Sequence, residues 1–367
     1  MRRLLALACI ALAVSAAGLP ENIQKVIDAS PAARTAFWGI QIVDLASGKA
    51  LYELNPDHYF VPASNAKLFS TALALTRLGP DYTFQTRVTA DATPDAQGRI
   101  AGDLRLVGGG DPNLSARAIP YRMGPITGNP LAAIEDLADQ LVSRGVRRVA
   151  GDIVGDDTWY VWQPYAVGWG IDDPQSDDGP PISALTLADN VLSLSVRPGA
   201  AVGDVAALAF NPRSEFYRID NRVRTVAVGG ERRIRFHRIP GSREALLWGT
   251  IPLKDRGQDM LISIEDPAEF AAQALRNALE ARGVTVEGTV RAEHLSPDQV
   301  ADLTQAPASE LGSGVELARR VSARLIEDLR ITAKVSQNLH AELNLRAVAR
   351  VRRNVGSFEA GMAEMKS

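Results

Sequence analysis

Cysteine is nearly absent from this chain: Cys9 is the single example in 367 residues. It lies inside an N-terminal stretch that reads as an export leader, so the mature chain is expected to hold no disulfide and no thiolate chemistry. Such a protein must be held together by its core. An excess of charge of one sign is lacking too. Lys and Arg total 40 against 43 Asp and Glu, a formal net charge of −3, and nothing global points to nucleic acid. The four histidines, at 58, 237, 294 and 340, show no metal-ligand spacing. Glycine and proline are only slightly above ordinary levels, which argues against wholesale disorder.

The leader has the expected parts. Arg2 and Arg3 form its charged end, "LLALACIALAV" its apolar stretch, and "SAA" at 15–17 its cleavage site, after Ala16 or Ala17. The apolar stretch is well short of the roughly 20 residues that a membrane span needs. Cys9 stands too early in it for a lipid-attachment site. Hydrophobic residues make up 46% of the chain, enough for a sizeable core split into more than one domain.

After a short leading helix, "FWGIQIVDLASGKALYELNPDHYF" reads as strand, turn, strand, with Gly48 in the turn. Pro62 closes the hairpin, and Ala63 is expected to be extended before a helix that starts near Ser64. "FQTRVTA" and "GRIAGDLRLVGGGDPNLS" look like strands joined by glycine turns. "NPLAAIEDLADQLVSRG" has a helical period. "VRRVAGDIVGDD" reads as a strand, and "WYVWQPYAVGWGIDDPQSDDGPP" as a loop. Short strands follow, beginning with "NVLSLSVRPG". "DPAEFAAQALRNALEARGVTVEG" reads as a helix opened by Pro267, a stop at Gly283, and a strand. A final helical zone is expected from about Val315 to Arg350, broken near "ITAKVSQN". The passages near 133–155 and 268–290 resemble each other in pattern only, and no firm repeat is evident. Nine arginines crowd residues 213–243; an RNA or phosphate surface is one reading, but "RRIRFHR" is more simply the solvated face of a strand, with His237 structural.

Two stretches carry chemistry. In "VPASNAKLFSTALAL", 61–75, Ser64 and Lys67 stand at i and i+3 and share a helix face. A lysine beside a hydroxyl in a partly desolvated pocket is a usable base, and the serine is then a nucleophile. The apolar run after Lys67 predicts a buried helix, so a charge at its start needs a partner or a purpose. A capping serine and a snorkelling lysine are the plain alternative. In "KVSQNLHAELNLRAV", 334–348, Ser336 and Asn338 form S-x-N. That hydroxyl can pass a proton toward a leaving group, and the amide can fix the lysine and bond the substrate's backbone. Helix capping by Asn338 is the alternative there.

Together these stretches resemble the serine D-alanyl-D-alanine carboxypeptidase/endopeptidases, the penicillin-binding family with large inserted domains also called peptidase S13. "PASNAKLFSTALAL" matches the first motif of that family, and "SQNLHAELNLR" resembles the second, with Gln337 where aspartate is usual. "LVGGGDPNL" at 106–114, "GDIVGDDTWY" at 151–160, "GWGIDD" and "SALTLADNVLSLSVRPG" extend the likeness over nearly all of the mature chain.

The resemblance implies an α/β (α+β) fold: a penicillin-recognising, transpeptidase-like core of sheet plus helices, interrupted by large, mostly β inserted domains. The implied division is a signal peptide at 1–17, core at 18–82, inserts at 83–290, and core again at 291–367 without its C-terminal strands. It implies Ser64 as nucleophile, Lys67 as base, and Ser336 and Asn338 as their partners. No cofactor or metal is implied. The implied partners are peptidoglycan stem peptides, with β-lactams as covalent inhibitors, and no nucleic acid. Peripheral membrane or cell-wall protein contacts are left open. The implied compartment is the periplasm.

The third element of the class, K-T-G on a core strand, does not occur in this sequence. The simplest expectation is a chain truncated at its C-terminal end, with its own activity left open. Two other readings stand beside the carboxypeptidase: a β-lactamase or esterase on the same core, and a non-catalytic cell-wall-binding protein lacking the third motif.

Overall fold

The computed structural model of the protein describes residues 18–124, 126–309 and 312–367. The expected leader, with Cys9, lies outside the described residues. The chain divides into two compact units, residues 1–63 and 64–367.

In the first unit, helices α1 (Leu19–Asp28) and α2 (Pro31–Thr35) precede strands β1 (Ile40–Val43) and β2 (Ala50–Leu54). The strands pair antiparallel, Ile40 opposite Leu54, as the sequence predicts. The Asp44 carboxylate fixes the turn by accepting from the Ser47 backbone N–H at 2.7 Å and its hydroxyl at 2.6 Å. Gly48, at φ 71°, takes the left-handed position. Ala63 is not extended but has φ 46°. The ring of a proline restricts the residue before it, here Val61, and not the one after.

The second unit runs α3 (Lys67–Leu78), β3 (Gln85–Ala90), β4 (Arg99–Ile100), β5 (Leu104–Val107), α4 (Ala132–Ser143), β6 (Arg148–Val149) and β7 (Ile153–Val161). Strands β8 (Val191–Arg197), β9 (Ala207–Asn211), β10 (Arg218–Val226), β11 (Arg233–Arg238), β12 (Glu244–Pro252) and β13 (Gln258–Ser263) follow. The chain then forms α5 (Pro267–Glu280), β14 (Thr285–Val286), β15 (Val290–Leu295) and β16 (Val315–Val321). It closes with α6 (Leu325–Val335), α7 (Asn338–Arg353) and α8 (Phe358–Met365).

The largest sheet has the order β15-β7-β5-β3-β16. Three-stranded sheets β14-β6-β4, β13-β8-β9 and β10-β12-β11 accompany it. This is a mixed α/β architecture with β-rich additions, as expected. A helical cluster of α3, α6, α7 and α8 packs around Leu73, Leu329, Leu339 and Leu343. Among the described residues no helix is long and apolar enough to cross a membrane.

Four elements differ from expectation. Residues 315–321 form β16, antiparallel to β3, instead of opening the last helical zone. Strand pairing with β3 outweighs the weak helical pattern of this segment. Strand β7 continues through Trp159, Tyr160 and Val161, residues expected in a loop, because Val161 N–H still finds a partner, the Gly356 carbonyl at 3.0 Å. The solvated arginine face of β11 holds for Arg233 and Arg235, but Arg238 is 1% exposed and paired with Glu265. Helix α3 buries only Ser70, Leu73 and Ala74, while Leu68 and Phe69 are 62% and 64% exposed. Only one stripe of its apolar run meets α6 and α7.

A repeat that the sequence hid is also present. "RIAGDL" (99–104), "RVAGDI" (148–153) and "TVEGTV" (285–290) adopt the same two-strand step. Their residues fall in parallel register: Val149 opposite Ile100 and Val286, then Ile153 opposite Leu104 and Val290. The unit is short, and its sequence likeness is clear only once the register aligns the copies.

Candidate active site

Helix α3 begins one residue after a 3-10 turn, Ala63–Ala66, that carries Ser64. The turn places the Ser64 hydroxyl beside the first helical side chain, Lys67. Its ammonium donates to Ser64 Oγ at 2.9 Å and to Ser336 Oγ at 3.2 Å. The three residues, with Asn65, Leu68, Thr71, Thr332 and Ala333, line a cavity of about 210 Å³. Ser64 and Ser336 are exposed and Lys67 is half-buried, so the reacting atoms are accessible. Burial pulls the Lys67 pKa below its ordinary value, and the Asp178 carboxylate opposes that shift. A lysine so placed gives up its proton more readily than a solvated one.

The second motif is a helix junction. Ser336 ends α6 in the left-handed region, φ 59° and ψ 41°, its N–H returning to the Thr332 carbonyl. Gln337 caps α7: its side-chain oxygen accepts from the Leu339 N–H at 3.2 Å. Gln337 therefore supplies a capping oxygen, as an aspartate would at that place. The expected break near 331–338 is thus two residues wide, Ser336 and Gln337. A left-handed backbone is uncommon at a serine, and from it the Ser336 hydroxyl lies 3.2 Å from the Lys67 ammonium.

Asn338 does not reach Lys67 by a hydrogen bond. Its Nδ2 donates to the Asp178 carbonyl at 2.6 Å, clamping the segment whose carboxylate acts on Lys67. The structure thus gathers Ser64, Lys67 and Ser336, and ties Asn338 to them through Asp178. Sequence reasoning missed Asp178, which stands in a stretch set aside as a polar loop. Its only signal was a run of acids, Asp172, Asp173, Asp177 and Asp178, between the two motifs.

Beneath the junction lies a buried polar network. His340 is fully buried on α7, 2.7 Å from Asp328 of α6 and 3.4 Å from Asp189. Asn113 and Asn344 donate to Asp328 at 3.0 and 2.8 Å, and Arg117 Nε donates to Asp189 at 2.7 Å. Burial lowers the His340 pKa, but the two carboxylates outweigh it and raise it to about 9. Burial likewise pushes Asp189 up, and His340 and Arg117 pull it down to about 2. His340 and Asp189 are therefore both charged at neutral pH. Charges in this network brace the α6–α7 joint that holds Ser336. Among the described residues no group of three or more His, Cys, Asp or Glu is arranged to hold a metal ion.

The chain matches the D-Ala-D-Ala carboxypeptidase 3 (S13) family over residues 19–367. It is 32% identical over 350 residues to a D-alanyl-D-alanine carboxypeptidase of Actinomadura sp. (strain R39), covering 94% of this chain and 60% of that protein. A carboxypeptidase of Mycobacterium tuberculosis is 33% identical over 147 residues, 40% of this chain and 30% of that one. The fold is similar to crystal structures of penicillin binding protein 4 from Haemophilus influenzae. One superposes with a TM-score of 0.70 at 19% identity, covering 89% of this chain and 66% of that one. The other, complexed with a β-lactam, gives 0.66 at 17% identity, with coverages of 94% and 68%. The chain spans about three fifths of the length of the Actinomadura relative.

Proposed function

The chain belongs to the D-Ala-D-Ala carboxypeptidase 3 (S13) family, and on that premise we propose that it is a serine-type hydrolase of peptidoglycan stem peptides. Its bond is the D-alanyl-D-alanine link, and Ser64 is its nucleophile. The observation that carries this reading is the single Lys67 ammonium bonded to both Ser64 and Ser336 hydroxyls.

Lys67, in its neutral form, takes the Ser64 proton as Oγ attacks the carbonyl between the two D-alanines. The tetrahedral adduct collapses to an acyl-enzyme. The departing amine takes a proton relayed from Lys67 through the Ser336 hydroxyl, and D-alanine leaves. Water, activated by the same lysine, releases the shortened peptide. When the amine belongs to a neighbouring stem, the same steps cut a cross-link, which is endopeptidase action. Asn338 and Asp178 keep the lysine's surroundings fixed. β-Lactams, which present a strained amide to the same hydroxyl, acylate Ser64. The β-lactam complex of the Haemophilus relative supports this extension.

We assign residues 18–82 and 291–367 to the catalytic core, 83–290 to inserts, and the protein to the periplasm. The test is D-alanine release from a synthetic stem pentapeptide. Release is expected from the parent chain and not from Ser64→Ala. Equal release by both overturns the nucleophile assignment.

A further inference from the structure

Arg238 is the cation that the arginine-rich segment hides. It ends β11, and its side chain is 1% exposed. Its guanidinium pairs with Glu265 and donates to the Pro174 carbonyl at 2.7 Å and to Ser263 Oγ at 3.0 Å. Its backbone N–H donates to Gln175 Oε1 at 2.9 Å. The Ser263 hydroxyl donates to the same Pro174 carbonyl. Tyr165 adds a bond to Glu265 at 2.6 Å. Two residues of one short turn, Asp173–Gln175, are thus held from the β10-β12-β11 sheet and from β13.

The chain leaves that turn and within three residues reaches Asp178. There the carbonyl accepts Asn338 at 2.6 Å, and the carboxylate acts on Lys67. A buried ion pair is a weak source of stability, because desolvation offsets the attraction; its better attested use is to specify one arrangement. Here the arrangement specified is the path of residues 173–178 over the second motif.

We propose that Arg238 is a positioning residue for Lys67, anchoring the 173–178 segment to the neighbouring sheets so that Asp178 keeps its bond to Asn338 and its charge acts on Lys67. The added sheets then serve the site through the segment that Asn338 of the second motif bonds. The proposal rests on the reading of Lys67 as the base, but its test does not require turnover.

The chain has six lysines, so ¹³Cε-lysine labelling gives a readable spectrum, with Lys67 assigned through Lys67→Arg. Arg238→Met is expected to shift the Lys67 resonance and leave the other five in place. Backbone amides at 175–178 should exchange roughly tenfold faster or more, while those of β10 and β12 stay protected. Gln175→Ala removes the acceptor of the Arg238 N–H without touching the buried ion pair, and should produce the same two changes in smaller measure. If Arg238→Met unfolds the sheet, Gln175→Ala decides. In a folded variant, an unmoved Lys67 resonance or unaltered exchange at 175–178 overturns the proposal. Failure of Lys67 as base would appear separately, as normal Ser64 acylation in Lys67→Ala.

Discussion

Lys67 Nζ stands 3.2 Å from Ser336 Oγ although 269 positions of sequence separate the two residues. The same ammonium is 2.9 Å from Ser64 Oγ, so one proton carrier serves two hydroxyls. A lysine that merely snorkelled to solvent would have no reason to meet both.

Removing the carrier should therefore cost rate more than binding. Lys67→Ala is expected to slow acylation of Ser64 by about 10²–10⁴-fold, with little change in the affinity of the encounter complex. Stopped-flow acylation by a fluorescent penicillin separates the two. In the parent, the rate should rise with pH as Lys67 loses its proton and level off below the ordinary lysine range, because burial lowers its pKa. Asp178 raises that pKa, so Asp178→Asn should move the rise to lower pH. A move to higher pH would contradict the assigned field.

Ser336 is a serine in a backbone region that favours glycine, φ 59°. Ser336→Gly should match the parent in stability or exceed it by a few tenths to about 1 kcal/mol in urea unfolding. Acylation should nonetheless fall by about 10²-fold or more, because the proton relay is lost. Loss of stability with acylation retained would reverse the assignment of strain to function.

The His340 network makes a pH prediction. Its imidazole holds a proton more tightly folded, at about 9, than in the unfolded chain, where the ordinary value is 6.5. A raised folded pKa gives stability that is full below pH 6.5 and lost as pH rises through 9. The contribution is on the order of 3 kcal/mol. His294 acts in the same sense: burial lowers its pKa, and Asp157 and Asp266 raise it to about 10. Asp111, raised by burial to about 6, completes its own change below this window. Thermal unfolding should thus show Tm falling from pH 6.5 to 9, with the slope reduced in His340→Gln. An unchanged slope in the variant would remove His340 as a source.

Gly155 sits on β7 against the backbone of Ala268, where an added Cβ would meet the Ala268 carbonyl. Gly155→Ala should cost roughly 1–3 kcal/mol by forcing α5 off the sheet. Urea unfolding with an unchanged slope would report this as a native-state effect.

Much of the site was legible because its chemistry is local in sequence. Ser64 and Lys67 share one helical turn, and Ser336 and Asn338 flank one junction. Periodicity gave α4 and α5, and turn residues gave the β1–β2 hairpin. What escaped depends on partners far along the chain. Nothing local marks Asp178 as the neighbour of Lys67, or Asp328 and Asp189 as the carboxylates around His340. Residues 315–321 become strand because β3 lies beside them, and Arg238 can be buried because Glu265 pairs with it. The apolar run after Lys67 overstated burial, since a run does not say how many sides of a helix are covered.

The most direct measurement is the intact mass of residues 18–367 after exposure to benzylpenicillin, with Ser64→Ala alongside. The account predicts one added penicilloyl mass on the parent and none on the variant. A parent without the adduct, or a variant that carries it, would contradict Ser64 as the nucleophile that Lys67 activates.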